Sequence, residues 1–115
     1  MIGFPSTYRV YLALGHTDMR KAINGLAAQV QTRLKLDPFG AHYVAFCNRR
    51  RTLIKILYWD RNGFALWQKR LEKERFHWPS SAGEATELEG RQMEWLLAGL
   101  DVRQAHGELR YRTVV

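Results

Sequence analysis

Residues 42–72 constrain this chain more than any other stretch: three apolar segments of strand length, 42–47, 52–59 and 64–72, are separated by two short polar connections. Each segment is rich in β-branched and aromatic residues, and each connection is built from residues that turn the backbone, Asn48-Arg49-Arg50-Arg51 and Asp60-Arg61-Asn62-Gly63. Connections this short join neighbouring antiparallel strands, so the segments predict a three-stranded meander. Asn62 or Gly63 is the expected positive-φ residue of the second turn.

The meander needs a partner layer, and the sequence before it supplies one. Residues 8–14 alternate Tyr8, Val10, Leu12 and Leu14 against Arg9, Tyr11 and Ala13, the pattern of a half-buried strand. From Met19 to Leu34 the apolar positions Met19, Ala22, Ile23, Leu26, Ala27, Val30 and Leu34 recur at helical spacing, with Thr17 or Asp18 as the expected cap. Asp37-Pro38-Phe39-Gly40 is turn chemistry. Beyond a polar linker at 80–85, Thr86-Glu87-Leu88-Glu89 fits a capping box opening a second helix with Met93, Leu96, Leu97 and Leu100 on one stripe and Gly99 near its end. The tail from 106 to 115 has room for a short strand. The expected architecture is one α+β domain over residues 1–115: a small antiparallel sheet, made of the first strand and the meander, packed against one helix, with a second C-terminal helix.

Charge is concentrated in the same central stretch. The chain has 18 Lys and Arg against 11 Asp and Glu, a formal charge of +7, and residues 48–78 alone hold +6 together with six aromatic residues. Such a composition suits a surface that meets a polyanion. In the two hairpin registers compatible with an Asn62 or Gly63 turn, Lys55 faces Lys69 or Arg70, and like charges in direct opposition weaken a sheet unless anions neutralise them. In the first of these registers Trp59 and Trp67 share that face, as packed residues or as stacking surfaces for bases. The expected contacts to nucleic-acid backbone are Arg49, Arg50, Arg51, Lys55, Lys69, Arg70, Lys73 and Arg75.

Catalytic chemistry finds little footing. The single cysteine, Cys47, excludes an internal disulfide, and the histidines His16, His42, His77 and His106 have no zinc-ligand spacing. There is no phosphate loop, dinucleotide fingerprint or nucleophile elbow. Asp18, Asp37, Asp60 and Asp101 each fall where a cap, turn or helix end explains them, which argues against a two-metal strand-transfer site. The expectation is no cofactor, no metal and no enzyme. No stretch is long and apolar enough to span a membrane, and residues 1–15 lack the features of an export signal, so a cytoplasmic, nucleoid-associated location is expected.

Taken in order, Thr17-Asp18-Met19-Arg20-Lys21, Gly25-Leu26, Asp37-Pro38-Phe39-Gly40, Asn48-Arg49-Arg50-Arg51, Lys55-Ile56-Leu57-Tyr58-Trp59-Asp60, Gly63-Phe64, Lys69-Arg70-Leu71-Glu72 and Phe76-His77-Trp78-Pro79 resemble the TnpB accessory family of the sixty-six group of insertion sequences. This family is distinct from the RNA-guided nucleases that share the TnpB label. The chain departs from the family pattern at Glu74, where a glycine is expected, and by about one residue in the turn at Phe39-Gly40-Ala41. The resemblance implies a bacterial mobile-element protein that acts beside a separate, larger transposase, and it implies no catalytic residues. Two functions follow as expectations: DNA binding through the basic hairpin surface in support of transposition, or an adaptor that docks on the transposase through the acidic C-terminal helix, for which exposed apolar area beside Trp95 would be the sign.

Overall fold

The computed structural model describes residues 3–5, 7–79, 85–99 and 112–113. In chain order the elements are β1 (Arg9–Ala13), α1 (Ile23–Thr32), β2 (His42–Cys47), β3 (Leu53–Asp60), β4 (Gly63–Arg70), β5 (Ala85–Leu88), α2 (Gly90–Leu97) and β6 (Arg112–Thr113). The strands form one sheet in the order β4-β3-β2-β1-β5-β6. The predicted meander is present as β2–β3–β4, and the fold is α+β.

Alternation along the strands divides the core into two layers. Val44, Phe46 and Leu57 point to one face and pack with Leu26, Val30 and Leu34 of α1 and the segment after it. Val10, Leu12, Ala45, Cys47, Ile54 and Ile56 point to the other and pack with Met93, Leu96 and Leu97 of α2 and with Phe76 and Trp78. Five of the six β2 residues are buried, which is why 42–47 is apolar at nearly every position where a one-sided strand would alternate. Trp78 is buried, and its indole N–H donates to the Ala13 carbonyl at 3.0 Å, fastening the segment after β4 to the end of β1.

Four expectations need correction. First, β1 runs parallel to β2, Arg9 beside His42 and Leu12 beside Ala45, because α1 intervenes and a crossover of that length returns the chain in the same direction. Second, α1 begins at Ile23 with Ala22 at the N-cap position, where no side chain caps it, and Asp18 instead accepts hydrogen bonds from the backbone and guanidinium of Arg20. The carbonyls of Met19 and Lys21 accept from the Lys55 ammonium at 2.9 and 3.1 Å, so a side chain occupies the Met19 carbonyl that would accept from an N–H in a helical turn. Third, residues 85–88 form β5, antiparallel to β1 with Val10 beside Leu88, and the capping box lies three residues later, between Glu89 and Gln92. The free side of β1 is what recruits 85–88 into the sheet. Gly99 follows α2 with a φ of 88°, the left-handed position that ends a helix cheaply only with glycine. Of the expected second-helix stripe, Leu100 lies outside the described residues, as do 80–84 of the expected linker; β6 supplies the short strand in the tail.

Fourth, the β3–β4 register matches neither predicted hairpin. Asp60 pairs with Gly63 and Lys55 with Gln68, which leaves a two-residue turn of Arg61 and Asn62. Arg61 takes the positive φ, 58°, and the Asn62 N–H bonds back to the Asp60 carbonyl. A one-residue change of register moves side chains to the other face, and here it separates Lys55 from Lys69.

His42 opens β2 half-buried, edge-on to Tyr11 at 5.6 Å. Burial lowers its pKa below the ordinary 6.5, and its Nε2 is enclosed without a partner among the described residues. Below pH 6.5 the unfolded chain binds a proton that the folded chain resists, so stability falls as pH drops through that range. A His42→Gln variant is expected to flatten the dependence of the urea midpoint between pH 7 and 5; an unaltered slope would assign the effect to other groups.

Candidate nucleic-acid interface

The β2–β3 connection is organised by Asn48. Its side-chain oxygen accepts from the N–H groups of Thr52 and Leu53 at 2.9 and 3.0 Å, and its amide nitrogen donates to the Thr52 hydroxyl. Arg51 closes the loop with a φ of 64°, a left-handed conformation uncommon for a side-chain-bearing residue, and its N–H reaches the Asn48 carbonyl. This geometry leaves Arg49 and Arg50 exposed at the tip, while the Arg51 guanidinium turns back to the Gly15 carbonyl at 2.6 Å.

The chain leaving β4 is tied to the same loop. The Leu71 N–H donates to the Thr52 carbonyl at 2.8 Å and the Phe76 N–H to the Arg51 carbonyl at 2.7 Å. These two bonds lay the 71–76 segment, with its exposed Lys73 and Arg75, along the loop that carries Arg49 and Arg50. None of the four has a hydrogen bond or ion pair with another described residue. Arg70 is 71% exposed but shares its charge with Glu72 at 2.9 Å. Arg20 stands at the same end of the sheet, since the Thr17 N–H bonds the Cys47 carbonyl; it is paired with Asp18, whose carboxyl it holds well below the usual range, and adds no net charge.

Lys55 and Lys69 are differently placed. Lys55 projects toward the segment before α1, and Lys69 projects from the opposite face to the carbonyl of Leu97 at the end of α2, at 2.8 Å. A cation at a helix C-terminus meets the negative end of its dipole. Both lysines therefore brace helices against the sheet. The expected cationic face is replaced by a cationic end, built from the β2–β3 tip and the segment after β4. The signal missed in the sequence was the polarity of the neighbouring elements: main-chain carbonyls, which no charge count registers, engage three of the eight candidate cations.

The tryptophans also part company. Trp67 packs against the α2 side of the core, whereas Trp59 lies edge-on between Phe39 and Phe64, each ring centre 5.0 Å away, at the far end of the sheet. Trp95 is half-buried against the core with the Arg91 guanidinium 5.4 Å over its ring. Cys47 is fully buried, and burial pushes its thiol up to about 11, out of the range of a reactive thiolate. Among the described residues no three of His, Cys, Asp and Glu converge to hold a metal ion, and no helix is long and apolar enough to cross a membrane.

Fold and site together define a small α+β protein whose sheet ends in a strongly basic surface. The family model for IS66 Orf2-like proteins matches residues 8–107, and the chain belongs to that family, an accessory family of insertion-sequence transposition and not a known catalytic one. It is 42% identical over 95 residues to the uncharacterized protein y4hO of Sinorhizobium fredii (strain NBRC 101917 / NGR234), a match covering 83% of each chain. It is 33% identical over 101 residues to the uncharacterized protein y4jC of the same strain, covering 88% of this chain and 86% of that one. No solved structure matches it.

Proposed function

We propose that this accessory protein works without catalysis, in the cytoplasm at the nucleoid, by binding the DNA backbone through its basic end alongside the transposase of the same element. The observation that supports this reading is the convergence of Arg49, Arg50, Lys73 and Arg75, exposed and without carboxylate partners among the described residues, at one end of the sheet. Arg51 and Arg70 border them, one held by a carbonyl and the other shared with Glu72. Cations on a turn and an irregular segment suit phosphates, which are contacted without sequence readout. Lys55 and Lys69 contribute by holding the helices that frame the sheet.

Titration of DNA against salt tests the proposal. Each phosphate contact adds about 0.9 to the slope of log affinity against log salt, so an Arg49→Ala, Arg50→Ala double variant is expected to lower the slope by up to about 2, with little change in thermal stability. Retention of the full slope would remove the tip from the interface. Absence of DNA affinity in the unaltered protein, with binding to purified transposase, would select the adaptor.

A further inference from the structure

We propose that β4 is a dimerisation edge, at which a second copy of this chain pairs antiparallel to give a continuous sheet across a two-fold axis. β4 is an edge strand eight residues long, without proline. The inward bond from Leu71 to Thr52 fixes the alternation: odd-numbered residues of β4 bond to β3, and the main-chain groups of Phe64, Leu66, Gln68 and Arg70 face outward. No described residue bonds those outward groups. Long edges are normally interrupted by proline, bulges or central charges, and β4 keeps its only charges, Lys69 and Arg70, at one end.

The side chains favour self-pairing over pairing with an arbitrary strand. Outward residues must meet outward residues, and with Leu66 on the axis Trp67 lies opposite Ala65, a large residue against a small one, and Lys69 lies opposite Gly63. A side chain at Gly63 would meet nothing within 4 Å, so the site is open. Across that opening stands Asp60 of the second copy, on the same face of the sheet as Lys69, exposed and without an ion pair among the described residues. Antiparallel pairing thus places the turn that carries Asp60 and Arg61, of no net charge, beside each cationic strand end and holds the two basic ends apart, facing opposite directions. Such a dimer presents two separate phosphate-binding surfaces.

The association is measured on the full chain in the absence of DNA, which keeps its failure distinct from failure of the phosphate-binding reading. Sedimentation is expected to show a dimer. Gln68→Pro removes an outward N–H from an exposed position and is expected to weaken dimerisation at least tenfold while leaving the far-UV spectrum unchanged. Leu66→Cys is expected to form a disulfide-linked dimer on mild oxidation, because an antiparallel pair on the axis places its Cα atoms about 5.5 Å apart, and buried Cys47 gives little background. A monomeric native chain would overturn the proposal, as would a Gln68→Pro dimer coupled with no Leu66→Cys crosslink. Should Gln68→Pro unfold, the crosslink alone decides.

Discussion

Replacing Trp78 by alanine is expected to cost about 3–5 kcal/mol, seen as a large fall in the urea midpoint at constant slope. The side chain is buried in the layer beneath α2, where it packs within the cluster that includes Phe76, Leu12 and Met93. Its removal opens a cavity in that layer and also strips the Ala13 carbonyl of the indole N–H donor. Trp78→Phe separates the two effects: most of the packing is kept while the bond is lost, and a cost of about 1–3 kcal/mol is expected for the carbonyl left alone. Against a domain stability of roughly 5–15 kcal/mol, the alanine variant approaches unfolding. A loss below about 1 kcal/mol for Trp78→Ala would show that the segment after β4 is not fastened to the core through this residue.

Lys55→Met is expected to cost about 2 kcal/mol and to leave the salt dependence of DNA binding unchanged. Methionine keeps the length and apolar character of the stem, so the variant removes mainly the ammonium and its bonds to the Met19 and Lys21 carbonyls. Hydrogen bonds to a charged donor contribute about 1.5–3 kcal/mol each, but Lys55 is only half-buried and water recovers part of what the carbonyls lose. Equilibrium unfolding and salt titration on the same variant discriminate between two roles. Falling stability with a constant slope marks a brace for the entry to α1; a slope lowered by about 0.9 at constant stability marks a phosphate contact, and would return Lys55 to the binding surface.

Local pattern made much of the fold legible. The strand at 42–47 agrees to the residue, the turn at Asp37–Gly40 is closed by the bond from Gly40 to Asp37, and the α2 stripe of Met93, Leu96 and Leu97 is buried as its spacing requires. Some of the failures turned on a partner distant in sequence and others on a local competitor. The 85–88 segment looks like a helix start by composition, and becomes a strand because β1 has a vacant side. Asp18 looks like a cap, and is withdrawn by Arg20 while Lys55 claims the carbonyls downstream. The hairpin register turned on which residue would accept positive φ; glycine and asparagine are the usual choices, and arginine took it. For the candidate site, the sequence located the charge but not its direction. Arg49, Arg50, Lys73 and Arg75 face solvent together, and the lysines expected to join them serve the interior.

The position of β1 bears on how the protein is made. It precedes the helix and the meander in the chain, yet it lies between β2 and a strand contributed by residues 85–88, so that Val10 meets Leu88. A ribosome that has delivered the helix and the whole meander has still left one flank of this strand bare, and translation must continue through Leu88 before that flank is covered. Termination anywhere upstream of Ala85 would therefore release a chain with an adhesive apolar edge at its centre.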